Sequence, residues 1–396
     1  MTRNTPFRAM AGSSQPRLVW SAEGSRERGC KRWNQFGQDI IDLTVAEMDT
    51  PLAEPIRAEL AEAMERQSFG YPVADGDSEV PTIAAQWLTE QHGLSVESSN
   101  IRLVPELMRG IIGAITHLTR PDSAVVVPTP SYGRYFDAIR TVGRGVVEVP
   151  MVKGIHGYQL DLERIEQELS AGAGSVVLCH PGNPTGNVFT SKEMLSLAEV
   201  VDRHGARVIS DEIHAPLRYQ DEFTPYASLD DRTRKHGITL MSATKAWNFP
   251  GLRCGMAVLT NEDDVAIWST LPRVAVGGIS PLGMIATMAA LRDGQSWLDA
   301  VRHDLADNRQ LVGTILGAAA PELVRLPEAS YLAWIDLRRL GVDDPSHLLR
   351  ERIGVATSSG PDHGAAGRGF VRLNFATAQP VLTEALERIA SLVKEH

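Results

Sequence analysis

Runs of consecutive apolar, mostly β-branched residues recur through the middle of the chain, and each is followed by a stretch of helical period. Val125-Val126-Val127 is the clearest; residues 146–149, 175–179, 207–210, 238–241 and 255–259 read the same way, and 102–104 is a shorter example. A strand without polar alternation has two apolar faces, and both must be covered. Helical segments at 111–118, 132–140, 161–169 and 191–204 supply the cover. The pattern predicts an α/β fold, a mainly parallel sheet with helices on both faces. Ligands of such sheets bind beyond the carboxyl ends of the strands, so the polar residues that follow the strands are the candidates for a site. Strands at 331–336 and 370–375 read as a smaller α+β lobe, and 396 residues suffice for one large core and one small one. The expected division is an N-terminal arm and part of the small domain (1–50), a large domain (51–290) and a C-terminal small domain (291–396).

The run at 238–241 leads into Ser242-Ala243-Thr244-Lys245-Ala246-Trp247-Asn248-Phe249-Pro250-Gly251-Leu252-Arg253. Lys245 therefore emerges from a strand end, with a hydroxyl three residues before it and an arginine eight residues after it. The other lysines are Lys31, Lys153, Lys192, Lys235 and Lys394, and none has such a frame. A lysine at a strand end usually points to solvent. Beside another cation, however, its ammonium form is disfavoured, and a neutral amine condenses with a carbonyl to a Schiff base. Ser242 and Arg253 are suited to hold a phosphate, by hydrogen bond and bidentate charge. These are the parts of a site for pyridoxal 5'-phosphate (PLP).

Composition excludes several other classes. A net charge of -10 leaves no basic face for nucleic acid. Cys30, Cys179 and Cys254 are odd in number and have no zinc-ligand spacing, so a reducing cytoplasm is expected, with Cys179 and Cys254 as core thiols. The N-terminus carries Arg3, Arg8 and Arg17 without a continuous apolar segment, and no window has the length of a membrane span, so no membrane partner is expected. Residues 1–16 read as a loose arm.

Other polar clusters follow other strands. His180-Pro181-Gly182-Asn183-Pro184-Thr185-Gly186 alone is an ordinary turn composition. Asp211-Glu212-Ile213-His214 lacks a second ligand cluster, so no metal is expected. Pro105-Glu106-Leu107-Met108 joins a strand to a helix, whose first N–H groups suit an anion, although most such turns bind nothing.

Taken together, Asn183-Pro184-Thr185-Gly186, Asp211-Glu212-Ile213-His214, Ser242-x-x-Lys245 with Arg253, and Arg372-Leu373-Asn374 resemble, in order and spacing, the fold-type I PLP enzymes of the class I and II aminotransferase superfamily. The Asp-Glu-Ile-His, Ser-Ala-Thr-Lys and Phe-Val-Arg-Leu-Asn-Phe-Ala runs look most like its bacterial cystathionine β-lyase branch, the MalY and PatB type of C-S lyase. The resemblance spans nearly the whole chain from about residue 40. It implies PLP fold type I, with a mainly parallel seven-stranded sheet and a smaller α+β domain. By the same resemblance Lys245 would hold PLP as a Schiff base and then act as the base at Cα. Asp211 would face the pyridine nitrogen and keep it protonated. Asn183 would donate to the ring phenolate, Tyr132 would stack on the ring, and His214 would lie near the phenolate side, where a structural histidine is nearly as good a reading. Ser242, Arg253 and the backbone N–H groups of Leu107 and Met108 would cradle the phosphate. Tyr71 would reach the phosphate of the neighbouring subunit of a homodimer, and Arg372 would clamp the substrate α-carboxylate.

The sequence departs from that branch at Thr44 and Thr50, which replace large aromatics beside the substrate entrance and imply a wider pocket, with Thr44 as a substrate contact. Glu106 stands where glycine is common and is expected to turn outward from the phosphate. The reaction expected is β-elimination of a thiol from an S-substituted cysteine, a small amino-acid substrate, with pyruvate and ammonia as co-products. Alternatives are an aminotransferase, or a decarboxylating or oxidative PLP enzyme on a bulky S-conjugated cysteine in specialised biosynthesis. A PLP-binding regulator or a pseudoenzyme fits less well, because the charge is acidic and the Lys, Asp, Asn and Arg set is complete.

Overall fold

Seven strands form the central sheet: β1 (Ile101–Val104), β2 (Val125–Thr129), β3 (Val146–Pro150), β4 (Ser175–Cys179), β5 (Arg207–Asp211), β6 (Gly237–Met241) and β7 (Gly255–Leu259), in the order β1-β7-β6-β5-β4-β2-β3. The computed structural model describes residues 18–154, 157–220 and 223–396; the arm expected over residues 1–16 lies outside them. Pairing is parallel throughout except at β7, which runs antiparallel to both β6 and β1. The expected mainly parallel sheet is thus observed. Because β7 is reversed, its start lies at the same edge as the ends of β1, β2, β4, β5 and β6, which brings Arg253 to that edge.

The unalternated runs are buried on both faces, as their composition requires. Val125, Val127, Val177, Ile209, Ile238 and Leu240 pack on one face under helices α1 (Leu107–Leu118) and α2 (Arg134–Thr141). Val126, Val176, Leu178 and Val208 pack on the other under α3 (Leu162–Ser170) and α4 (Ser191–Arg203). On α1, a Cβ at Gly113 would lie 2.9 Å from the Trp268 ring, so glycine lets that helix sit close to its neighbour. Tyr132 precedes α2 instead of belonging to it, since the helix begins at Arg134.

A third core cluster runs from Leu103, Met241, Met256 and Val258 through helices Val80–His92 and Pro281–Asp293 to the C-terminal elements. The long helical region expected after Pro281 is two helices, Pro281–Asp293 and Gln295–Ala319. Beyond them β8 (Leu332–Asp336), β9 (Ser358–Ser359) and β10 (Phe370–Asn374) form an antiparallel sheet in the order β8-β10-β9. Ile41–Asp42 pairs in parallel with Val355–Ala356, which ties the early segment to these late elements. Gly133 meets the same region at close range: a Cβ there would lie 1.9 Å from the Asp362 carbonyl oxygen, so only glycine allows this loop to dock on the turn after β2. Among the described residues no helix is long and apolar enough to cross a membrane.

Candidate active site

A cavity of about 1040 Å³ opens at the sheet edge where the strands end. Thr44, Leu107, Met108, Tyr132, Asn183, Asp211, His214, Ser242, Lys245, Arg253 and Arg372 all line it. Eleven of the twelve residues selected from the sequence are therefore gathered in one place. The twelfth, Tyr71, is fully exposed and lies outside this cavity. Thr50 is also outside it, buried in the protein, so the expectation that it borders the substrate entrance is corrected. Glu106 is exposed and sits on the cavity wall.

Lys245 Nζ donates to the Ala46 carbonyl at 2.8 Å, and Tyr331 Oη donates to the same oxygen at 3.0 Å. Burial pushes the lysine down to about 8; Arg372 adds to the shift, while Glu47 and Asp211 oppose it. The lysine is shifted in the direction expected from the sequence, and a neighbouring cation contributes, but as the lesser cause. Removal from water does most of the work, and the assisting cation is Arg372, from the far end of the chain, rather than Arg253.

Asp211 ends β5, in register with Cys179 on β4 and Leu240 on β6. Tyr135 Oη donates to Asp211 Oδ2 at 2.6 Å, and the Ile213 N–H donates to Oδ1 at 3.1 Å. Burial pushes Asp211 up to about 6 against these two donors and Lys245. Tyr132 packs edge-on against Tyr135, ring centroids 5.5 Å apart. His214 is buried edge-on to Tyr331 with its Nδ1 unpartnered, and burial, then Lys245 and Arg372, push it down to about 3, so it is neutral.

Arg372 is buried. Its Nη1 donates to Asn183 Oδ1 at 3.1 Å, and its Nη2 donates to the Thr44 carbonyl and Ser358 Oγ, both at 2.9 Å, while Nε has no partner. The segment that Arg372 touches is held along its length. Asn374 Nδ2 donates to the Val45 and Glu47 carbonyls at 2.6 and 2.7 Å, and Asn248 bonds both the N–H and the carbonyl of Met48. Arg32, itself buried, donates to the Asp42 and Glu47 carbonyls and pairs with Asp49 at 3.2 Å. This rigid strap fixes the Ala46 oxygen over Lys245.

An anion has a place at the opposite wall. No side chain caps α1, so its first N–H groups, those of Leu107 and Met108, are open at the cavity. Arg253, in a left-handed turn at φ 53°, reaches the same cavity without an ion pair among the described residues. Ser242 Oγ is already engaged with the Cys254 carbonyl at 2.6 Å and Thr244 Oγ1 at 2.8 Å, so it offers an anion less than its position suggests. A buried carboxylate, a low-pKa amine and an uncapped helix end fit the ring nitrogen, aldehyde and phosphate of PLP. Sequence reasoning missed Tyr135, Tyr331, Ser358 and the Ala46 carbonyl. Of these only Tyr135 leaves a trace, three residues after Tyr132.

The sequence profile for aminotransferase class I and II matches residues 38–389. The chain belongs to that family. Among its relatives, the cystathionine beta-lyase of Corynebacterium glutamicum is 34% identical over 94% of this chain and 98% of the relative. Protein MalY of Escherichia coli is 31% identical over 92% and 96%. A solved structure from Corynebacterium diphtheriae, assigned provisionally as a PLP-dependent beta-cystathionase, superposes with a TM-score of 0.90 at 33% identity, covering 96% of this chain and 99% of that one. The fold of this class I and II aminotransferase family member is PLP fold type I, with the mainly parallel sheet described above.

Proposed function

We propose that this protein is a PLP-dependent carbon-sulfur lyase that removes a thiol from an S-substituted cysteine by β-elimination. The observation that carries this reading is the meeting of Lys245, Asp211 and Arg372 in one cavity, in a chain about one third identical to a named cystathionine beta-lyase. PLP supplies an electron sink that weakens the bonds to the substrate Cα. In this reading Asp211 balances the protonated ring nitrogen, Asn183 bonds the ring oxygen, and Tyr132 lies against the ring with His214 nearby. The Leu107 and Met108 N–H groups with Arg253 hold the phosphate, and Ser242 lies beside them, able to contribute only if its hydroxyl turns from the Cys254 carbonyl. Arg372 binds the substrate α-carboxylate with its planar fork, and the Thr44 wall receives the sulfur substituent.

Lys245 takes the Cα proton as an amine of lowered basicity, so proton transfer occurs near neutral pH. The Cβ–S bond then breaks, and its electron pair leaves on the thiolate. The three-carbon enamine left behind hydrolyses to pyruvate and ammonia. The active unit is a homodimer in the cytoplasm, in which the fully exposed Tyr71 reaches the partner's cavity. Incubation of the purified protein with PLP and L-cystathionine or S-alkylcysteines tests this reading. Stoichiometric pyruvate and free thiol are expected; amino transfer that depends on an added keto acid, without thiol, overturns it in favour of an aminotransferase.

A further inference from the structure

Asp211 is buried at the end of β5, and the groups around it are few. Tyr132 and Tyr135 come from the α2 region, Cys179 from β4 in direct register, Glu212 from the next position after β5, and Lys245 from the turn after β6. Two donors touch its carboxylate, the Ile213 N–H on Oδ1 and the Tyr135 hydroxyl on Oδ2, and the tyrosine bond is the shorter at 2.6 Å. Tyr135 is itself fully buried, with no accessible surface, and burial raises its phenol well above the ordinary value, so it acts as a donor. A buried carboxylate with no donors reverts to the neutral acid. As a neutral acid it no longer balances a cation.

We propose that Tyr135 is a positioning residue for PLP: its hydroxyl holds Asp211 ionised and in one orientation, so that the carboxylate can pair with the protonated ring nitrogen. The inference rests on the PLP reading and adds to it a residue that does not itself touch the cofactor. Its place in the fold supports the role. Tyr132 lies just before α2 and Tyr135 in its first turn, three residues on, with their rings edge to edge at 5.5 Å. One short helix start thus positions both the aromatic wall of the cavity and the donor to its buried acid. Cys179, pushed up to about 12 by burial, stays a neutral thiol and cannot substitute for the phenol as a strong donor.

The test is titration of apoprotein with PLP, read by cofactor absorbance or by quenching of tryptophan fluorescence, independently of turnover. Wild type is measured first; if it does not take up PLP, the proposed function falls and the role of Tyr135 towards PLP falls with it. Given binding, Tyr135→Phe is expected to weaken PLP affinity about ten- to hundredfold, the range for losing a hydrogen bond to a buried charged group. In an Asp211→Asn background the same substitution is expected to change affinity by less than about twofold, because the charge it serves is gone. Unchanged affinity in Tyr135→Phe overturns the proposal, and so does an equal loss in both backgrounds, which would mark a purely structural role. Were Tyr135→Phe not to fold, tyrosine labelled with 13C at Cζ reads the bond in wild type. The signal that moves in Asp211→Asn is expected to move on PLP binding as well, and a signal indifferent to PLP overturns the proposal.

Discussion

Lys245 Nζ and Tyr331 Oη donate to a single acceptor, the Ala46 carbonyl, at 2.8 and 3.0 Å. The choice of partner matters for chemistry. A carboxylate in that position would favour the ammonium and hold the proton on it. A neutral carbonyl accepts from an amine as well as from an ammonium and favours the ammonium far less than a carboxylate would, so Lys245 is located without being locked in its charged form. Asn374 bonds the carbonyls of the residues on both sides of Ala46, which holds the acceptor in place independently of the lysine.

The depressed basicity of Lys245 makes stability depend on pH in the alkaline range. Its folded value of about 8 lies below the ordinary 10.5, so between these pH values the unfolded chain holds a proton that the folded chain has lost. Stability from this group rises with pH across that window, and the cost of burying the ammonium is present in full below pH 8. Urea unfolding of apoprotein, compared with Lys245→Met, is expected to show the variant ahead at pH 7 by about 3 kcal/mol, at 1.36 kcal/mol per pH unit, with the gap closing towards pH 10.5. A gap independent of pH would mean that Lys245 is not buried as an amine.

Arg372 is held by Asn183, Thr44 and Ser358, with its fork set in one plane. Arg372→Lys keeps the charge and loses the fork. The expected result is a KM for the amino acid raised about ten- to hundredfold, the scale of one charged hydrogen bond, with PLP affinity changed by only a few-fold. Loss of PLP binding with KM unchanged would reassign Arg372 to the cofactor.

The fold and most of the site were legible because the signals are local. A strand buried on both faces has to be written as an unbroken apolar run, as at Val125 to Val127, and a residue placed just after such a strand can be assigned to the sheet edge whatever the rest of the chain does. What was not legible depends on distant packing or on backbone atoms. Ala46 acts through its carbonyl, which no side chain announces. Tyr331 and Arg32 reach the site from opposite ends of the chain. The cation that helps to depress Lys245 is Arg372, which sequence proximity could not select over Arg253. Thr50 was misplaced because adjacency to Thr44 in an irregular segment says nothing about which side chain turns inward.

The strap over the site hangs on Arg32 and Asp49, a buried ion pair at 3.2 Å, with Trp33 Nε1 donating to the same carboxylate at 3.1 Å. Removing Arg32 leaves the buried Asp49 with only the partly exposed Arg28, at 3.9 Å, as a counter-charge, so the cost approaches the roughly 3 to 5 kcal/mol of breaking a buried pair. Arg32→Met is therefore expected to lower the urea midpoint strongly and to free the Ala46 region, read as faster amide exchange at residues 43 to 48. Adding Asp49→Leu to Arg32→Met is expected to recover part of the stability, since no lone charge then remains. A double variant less stable than Arg32→Met alone would contradict this account.

Acid lability is expected to come from histidines rather than from surface ion pairs. Burial pushes His92, His214 and His363 down to about 3, and His180 and His236 down to about 4. Each has an ordinary value of 6.5 when unfolded, so as pH falls below 6.5 the unfolded chain gains protons that the folded chain refuses, and stability drops. Buried acids act the other way: burial pushes Asp211 up to about 6 and Glu212 up to about 8 and also raises Asp264, and their contribution is greatest at low pH and is lost as pH rises through their folded values. The five histidines outnumber the acids raised most strongly, so apoprotein stability is expected to fall as pH drops from 6.5 towards 5. Glu212→Gln removes one opposing acid. Relative to wild type the variant is expected to lose ground as pH falls from 8 towards 5, and equal pH slopes for the two proteins would contradict the assignment of a buried, protonated Glu212.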